Sequence, residues 1–245
     1  MNENRILNKI NKKQTAFVAS IKSESLDIIE YASRLNYDGI HLDAEHGSFS
    51  VDSIERICQS AISNSMTVTA RVSKVTSSDI NLFLDRGVQG IMGPHIETLE
   101  EASLLADYCL FPPKGKRSWG GGRGTEFGSK ALLEEKNLNK KTYAEWANNN
   151  IEITIQIESV KAINNLDEIL KEDRIDRVAF GPHDLAADLG FPGEPDHIRV
   201  VEAHKEIETK SREAGKKMVG DLIQSIRVED AIIDAMLNFK KENGH

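Results

Sequence analysis

The feature that most constrains the fold of this chain is a repeated alternation of short strand-like runs with helical stretches. The first run is residues 15–21, and apolar side chains then recur at helical spacing over residues 26–35. The same pair of patterns returns along the chain, down to a last strand candidate at residues 225–228 and a final helix. Roughly eight strands interleaved with helices in 245 residues match the size and rhythm of a (β/α)8 barrel. We therefore predict one α/β domain over residues 1–245, a (β/α)8 TIM barrel.

The end of the chain departs from that rhythm. Only about three residues separate the seventh strand candidate, at 217–222, from the eighth, which is too few for a crossover helix. Either the barrel is incomplete between strands 7 and 8, or a segment is missing there. A doubly wound open sheet is the rival architecture, but no G-x-G-x-x-G follows the first strand, so the usual nucleotide-binding signal is absent.

Charge and composition narrow the classes of partner. The chain has 31 basic and 39 acidic residues and a net charge of -8, which disfavours broad contact with nucleic acid or an anionic membrane. No apolar run approaches the ~18 residues of a membrane span, and residues 1–14 are too polar for a secretory signal. Cys58 and Cys109 form no CxxC and are expected to be buried thiols. We expect a cytoplasmic protein that acts on small metabolites.

Polar side chains collect where the predicted strands end. Parallel barrel strands are buried on both faces, so ionisable groups on them are expected at the C-terminal mouth, where barrel active sites lie. In residues 151–158 the odd positions are isoleucine and the even ones polar, ending at Glu158. Each group alone also fits a helix cap or a solvated loop, but their convergence favours an active site. The predicted mouth residues are Asp43, Glu45, His46, Arg71, His95, Glu158, His183 and Asp184.

Two chemistries suit such a mouth. A pair of carboxylates beside an arginine can hold a divalent cation together with an anionic substrate. The same carboxylates can work without metal, one of them as a general base for a C–H proton. The loop at residues 111–128 adds four cations among glycines, which favours anion binding, although a solvated flexible loop is the alternative. These cations are Lys114, Lys116, Arg117 and Arg123.

The order of the motifs resembles the HpcH/HpaI class II aldolase family of the phosphoenolpyruvate/pyruvate superfamily. The similarity runs from FVASIKSESLDIIEYASRLNYDGIHLDAEH, at residues 16–46, to GPHDLAADLGFPGEP, at residues 181–195. The resemblance implies that His46 is the catalytic acid/base and that Asp85 orients it. It also implies that Arg71 steadies the enolate and the substrate carboxylate.

The resemblance further assigns the carboxylates of the mouth. Glu158 of IQIES and Asp184 of GPHDL correspond to the family's metal ligands, and Gln156 lies beside the substrate. On that assignment the chain is a pyruvate aldolase that uses Mg²⁺ or Mn²⁺ to act on 4-hydroxy-2-oxo acids.

Two departures from the aldolase pattern favour another branch of the family. His95 stands in GPHIET, where aldolases usually have an apolar residue, and the loop reads RSWGGGRG. Both features are similar to the metal-independent citrate synthases of siderophore (staphyloferrin B) biosynthesis. This similarity implies condensation of oxaloacetate with acetyl-CoA as co-substrate, no required cofactor, and a homo-oligomer. His95 is then catalytic, by polarising the thioester or ketone oxygen, and Trp119 and Arg123 bind substrate.

Three functions therefore stay open at this point. Citrate synthesis is the first, the metal-dependent pyruvate aldolase is the second, and a non-catalytic barrel that senses a dicarboxylate is the third. The presence of His46, Asp85 and Arg71 together disfavours the sensor.

Overall fold

The computed structural model describes residues 1–244 and contains one parallel eight-stranded sheet within that range. The strand order is β7-β6-β5-β4-β3-β2-β1-β8, so each strand from β1 to β7 pairs with the next one along the chain. The strands are β1 Ala16–Ile21, β2 Gly39–Asp43, β3 Thr67–Arg71, β4 Gly90–Gly93, β5 Glu152–Ile157, β6 Arg177–Phe180, β7 Lys217–Met218 and β8 Ile223–Arg227.

Helices follow most strands and pack on the outside of the sheet. Short polar caps start them: the Ser50 and Thr98 side chains each accept a backbone hydrogen bond, and Thr98 with Glu101 forms a capping box. A 3₁₀ segment lies at Arg123–Gly128. The α-helices are α1 Arg5–Asn11, α2 Leu26–Arg34, α3 Val51–Ser63, α4 Ser77–Arg86, α5 Leu99–Cys109, α6 Lys130–Glu135, α7 Lys140–Asn148, α8 Val160–Asn164, α9 Leu166–Ile169, α10 Pro182–Asp188, α11 Ile198–Glu213 and α12 Val228–Glu242.

The sheet curls into a barrel that does not close. Strands β7 and β8 lie at the two ends of the strand order and do not pair with each other, because residues 219–222 alone connect them. Inward-facing side chains from both halves of the sheet, including Val18, His41, Thr154 and Ser225, nevertheless line one common interior. The predicted (β/α)8 architecture is confirmed, and so is its incompleteness between strands 7 and 8.

The missing crossover helix leaves apolar surface uncovered. Phe17 of β1 and Ile226 of β8, on the outer side of the sheet, are 48% and 40% exposed. Helix α12 has no buried residue, whereas α3 buries Ile54, Ile57 and further apolar side chains. The main apolar core therefore lies between the helices that precede this opening and the strands they cover. At the other end of the barrel, α1 packs through Ile6 and Ile10 against β1.

A buried ion pair ties the last strands together. The Arg177 side chain, only 1% exposed, donates from Nε to Glu152 Oε2 at 2.7 Å. Its Nη1 also donates to the backbone carbonyls of Met218 and Asp221, at 2.8 and 3.0 Å. These bonds join β5 and β6 to the short connection that replaces the seventh crossover, so Arg177 supports the part of the barrel that lacks a helix.

Replacing Arg177 with Met is expected to destabilise the protein by roughly 3–5 kcal/mol, because it leaves Glu152 buried without its cation. Urea unfolding measures this loss. The double variant Arg177→Met/Glu152→Gln should recover part of it, since no unpaired charge remains. Arg34→Ala removes an exposed i,i+4 pair with Glu30 and serves as the control. A loss in Arg177→Met no larger than in Arg34→Ala would contradict a supporting role for the buried pair.

Candidate active site

Arg71 and Asp43 meet at the C-terminal mouth because they end neighbouring strands. The register of β2 and β3 places them opposite each other. The Arg71 guanidinium donates to Asp43 Oδ1 from Nε at 3.0 Å and from Nη2 at 2.7 Å. Burial opposes the ionisation of Asp43, but the hydrogen bonds and charge of Arg71 outweigh it, and the pKa of Asp43 is lowered. Arg71 is therefore held in one orientation by an ionised neighbour.

Glu45 connects Arg71 to His95. Arg71 Nη1 lies 3.0 Å from Glu45 Oε2 and also donates to Gln156 Oε1 at 3.2 Å. The second oxygen of Glu45 lies 2.9 Å from His95 Nε2. The side chain of Glu45 is only 10% exposed, so this carboxylate belongs to the site and is not a solvated loop residue.

His95 lies between two carboxylates. Its Nδ1 is 3.1 Å from Glu158 Oε1, and its backbone N–H donates to the same oxygen at 2.8 Å. Only a ring protonated at both nitrogens can donate to Glu45 and Glu158 at once. The residue has a φ of 52°, a left-handed conformation that is uncommon for residues other than glycine and is enriched at functional sites. The ring is 59% exposed and is accessible from the open side of the mouth.

Glu158 is the most deeply buried carboxylate of the mouth. Its Oε2 accepts from Gln156 Nε2 at 2.6 Å. Burial raises the pKa of Glu158; the His95 backbone and ring oppose the rise, while the charges of Asp184 and Glu45 add to it. Gly181 makes room for this group, because a Cβ at that position would lie 2.4 Å from Glu158 Oε2. The site thus contains a carboxylate whose basicity is increased by its surroundings.

The structure brings most of the other predicted mouth residues to the same end of the barrel. His46 follows Glu45 directly, and its Nε2 lies 3.9 Å from Glu45 Oε2. Asp184 lies in the first turn of α10, just after β6, and its charge acts on Glu158. His183 precedes it and makes no side-chain hydrogen bond or ion pair within residues 1–244.

Asp85 lies apart from this cluster within one chain. It is near the end of α4, and a Cβ on Gly120 would lie 2.5 Å from its Oδ2, so the glycine-rich loop packs directly on this carboxylate. Burial raises the pKa of Asp85, and its Oδ1 is buried without a hydrogen-bond partner in the described residues. No hydrogen bond joins Asp85 to His46 in residues 1–244, so the orienting role implied by the family resemblance stays a prediction.

The loop at residues 111–128 was expected to offer four cations for anion binding, but three of them already have partners within the chain. Arg123 pairs with Glu55 of α3 at 2.6 Å, and Lys116 pairs with Asp107 at 2.6 Å. Arg117 is buried and donates to the carbonyls of Leu84 and Gly124. Of the four, Lys114 is the one with neither burial nor an acidic partner within residues 1–244. The partner of Arg123 lies on a helix remote in sequence, and that of Lys116 on the helix directly before the loop; the loop sequence reveals neither.

Trp119 is part of an apolar cluster beneath that loop. Its ring centroid lies 5.3 Å from that of Phe111 and 5.8 Å from that of Tyr143. Its indole nitrogen is buried and has no hydrogen-bond partner among the described residues. Neither Trp119 nor Arg123 contacts the mouth cluster within one chain, and their predicted substrate-binding roles are untested.

The aldolase interpretation implies a divalent metal held by the carboxylates of the mouth. Both oxygens of Glu158 accept hydrogen bonds from protein groups, and the His95 ring lies between Glu158 and Glu45. Within residues 1–244, no group of three or more His, Cys, Asp or Glu side chains is arranged to hold a metal ion. The residues as placed therefore do not fit a divalent cation, and no step is derived through one.

The sequence did not show that Glu45 connects the charged groups of the site. Its place in DAEH, between a strand-end aspartate and the predicted catalytic histidine, was the available signal. Its contacts come from two other strands, because Arg71 ends β3 and His95 follows β4. Pairing across such distances is not visible in a local pattern.

An ionisable cluster at the mouth of a β/α barrel is the arrangement of an enzyme, and comparisons with known proteins define its class. The sequence profile of the HpcH/HpaI aldolase/citrate lyase family matches residues 16–242. The chain therefore belongs to this family, whose enzymes form or break carbon–carbon bonds.

Two curated relatives are aldolases. The 4-hydroxy-2-oxovalerate aldolase of Rhodococcus jostii (strain RHA1) is 30% identical over 84% of this chain and 79% of its own. The hydroxypyruvate/pyruvate aldolase of Sagittula stellata is 31% identical over 73% of this chain and 67% of its own.

Solved structures share the fold. An HpcH/HpaI aldolase from Desulfitobacterium hafniense has a TM-score of 0.83 at 22% identity, covering 98% of this chain and 97% of its own. The citrate synthase SbnG has a TM-score of 0.81 at 21% identity, covering 99% of each chain. Both likenesses support the barrel architecture.

The raised pKa of Glu158 leads to an expected pH dependence of stability. In the native state the Glu158 carboxyl holds its proton to a higher pH than in the unfolded chain, where its pKa is 4.5. Ionisation of Glu158 therefore destabilises the native state as the pH rises from 4.5 through the raised native value. Glu158→Gln removes this cost, so its stability relative to the parent should be higher at pH 8 than at pH 4.5 in urea unfolding.

Glu134→Gln, exposed on α6, controls for the loss of one carboxylate. An equal change with pH in the two variants would show that the environment of Glu158 does not bear on stability.

Proposed function

We propose that this protein condenses oxaloacetate with acetyl-CoA to give citrate and CoA, in a siderophore pathway of the staphyloferrin B type. The observation that supports this proposal most strongly is the His95 ring held between Glu45 and Glu158. An imidazole N–H at this position is a donor by which a site without metal stabilises a developing enolate.

The reaction follows from the groups of the mouth. Arg71 binds a carboxylate of oxaloacetate, because its planar guanidinium matches that group and keeps its charge. Glu158, with its pKa raised by burial, accepts a proton from the methyl carbon of acetyl-CoA. His95 donates to the thioester oxygen as the enolate forms. The enolate carbon then bonds to the ketone carbon of oxaloacetate, whose oxygen takes a proton, and water hydrolyses the citryl thioester to citrate and CoA.

The second candidate is the pyruvate aldolase that acts on 4-hydroxy-2-oxo acids with Mg²⁺ or Mn²⁺. The relatives described above favour it, since both are aldolases, and Glu158 and Asp184 are both present. The position of the His95 ring between Glu45 and Glu158 favours the first candidate.

A substrate panel assayed with and without chelator separates the two. Free CoA thiol should appear from acetyl-CoA only when oxaloacetate is present, with citrate in equal amount, and the activity should survive chelation. Release of pyruvate from 4-hydroxy-2-oxo acids, abolished by chelator and restored by Mg²⁺ or Mn²⁺ with no citrate formed, would replace this proposal by the aldolase.

Arg71→Ala should lower kcat/KM by about 100-fold or more, on the order of 3 kcal/mol, because both oxaloacetate binding and enolate stabilisation depend on the guanidinium. Glu158→Gln should chiefly lower kcat, since it keeps the shape of the side chain and removes the base. Turnover assays together with calorimetric titration of oxaloacetate test both variants. Near-normal turnover in Glu158→Gln would move the role of base to His46 or Asp184.

The assembly and location also belong to this proposal. Helix α12 exposes a set of large apolar side chains that a second copy of the chain would cover, so we expect a homo-oligomer, measurable by light scattering. Because the proposed substrates are cytoplasmic metabolites, we expect the enzyme in the cytoplasm. No helix within residues 1–244 meets the length and hydropathy needed to cross a bilayer. The exposed α12 side chains are Ile232, Ile233, Met236, Leu237 and Phe239.

A further inference from the structure

A second cavity lies at the opposite end of the barrel from the mouth. It is bounded by the N-terminal starts of β5, β6 and β7 and by α1, and its volume is about 730 Å³. This is within the range of small-molecule sites, about 300–1,000 Å³. The residues of the proposed reaction lie at the C-terminal strand ends, so this cavity is outside the site described above.

Three lysines line this cavity without a carboxylate partner in residues 1–244. Lys114 donates to the Asn149 side chain, and Lys217 is exposed. Lys216 is only 9% exposed, and its one hydrogen bond in the described residues goes to the Glu172 carbonyl, at 2.8 Å. An ammonium has three donors, so Lys216 has donors to spare in a place where water is largely excluded.

The acidic groups of the cavity are mostly engaged elsewhere. Glu152 is neutralised by Arg177, and Asp176 accepts the backbone N–H of Ile153 at 2.7 Å. Burial raises the pKa of Asp176 to about 6, which reduces its negative charge in mildly acidic solution. Asp173 also lines the cavity, and its charge acts on Lys216. The unpaired lysines therefore outnumber the carboxylates that can oppose them.

The surroundings add to the positive charge of this face. Lys12 and Lys13 directly follow Asn11, which lines the cavity at the end of α1. Arg174, also in the lining, is already balanced by Glu172 and Asp107. The protein as a whole has a net charge of -8, whereas the lysines give this face a locally positive electrostatic potential. A positive potential of this kind attracts anions.

We propose that the cavity at the N-terminal face binds a small polyanionic metabolite, one that has two or more phosphate or carboxylate groups. Lys216 would contact the ligand from inside the cavity, and Lys114 and Lys217 from its rim. This site is independent of the reaction proposed for the mouth.

Calorimetric titration of the full chain with pyrophosphate and, separately, with citrate tests the proposal and distinguishes the two classes of anion. Binding of at least one of them is expected near one site per chain; citrate, the product proposed for the mouth, is titrated into Arg71→Ala so that the mouth does not contribute. It should weaken at least 10-fold in Lys114→Gln/Lys217→Gln, whose side chains are exposed and whose loss should not affect folding. Lys205→Gln/Lys240→Gln removes the same charge from exposed positions on α11 and α12 and is the matched control.

Further variants separate this cavity from the mouth. Arg71→Ala should keep the binding, because the two sites are at opposite ends of the barrel. Lys216→Met should abolish anion binding while circular dichroism shows a folded protein. If Lys216→Met does not fold, the result for Lys114→Gln/Lys217→Gln, the pair at the rim of the cavity, tests the proposal. The proposal is overturned if neither anion binds at millimolar concentration, if Arg71→Ala removes the binding, or if the control pair weakens it as much as the rim pair.

Discussion

The arrangement of the mouth is determined by the repulsion among three carboxylates. The side chains of Asp43, Glu45 and Glu158 lie close together and are mostly buried. Such groups repel one another and lose hydration, so they persist only with compensating cations. Arg71 compensates Asp43 and Glu45, and the ring nitrogens of His95 lie within hydrogen-bond distance of Glu45 and Glu158. Because Arg71 and His95 both contact Glu45, the cluster behaves as one network, and a change at either end alters the environment of the other.

Much of the fold could be predicted from the sequence because its signals are local. Alternation with period two in β5 indicated the polar inner face, and Glu152 and Thr154 do line the barrel interior. The mouth residues could also be predicted, since the end of a parallel strand determines where a side chain lies. The loop cations could not be assigned in this way. The partner of Arg123 is Glu55, on a helix 68 residues earlier in the sequence, and no local pattern specifies such a pair.

The short connection between β7 and β8 has consequences at both ends of the sheet. A crossover helix would have covered the outer face near Phe17 and Ile226, and without it these side chains and α12 stay exposed. The Arg177 contacts compensate on the inner side, by holding the carbonyls of Met218 and Asp221 beside β6. Apolar burial is thus replaced there by buried polar bonds, which are more sensitive to single substitutions because removal of one partner leaves the other unsatisfied.

The same network limits how a substrate can enter the mouth. The Arg71 donors already face Asp43, Glu45 and Gln156. A substrate carboxylate must therefore displace one of these acceptors or share a donor with it. Glu45 is the partner whose displacement also affects His95, because its second oxygen faces that ring. Arrival of an anionic substrate at Arg71 would then free the Nε2 donor of His95 for the reacting oxygen. In the proposed reaction, substrate binding and activation of His95 would then be coupled through Glu45.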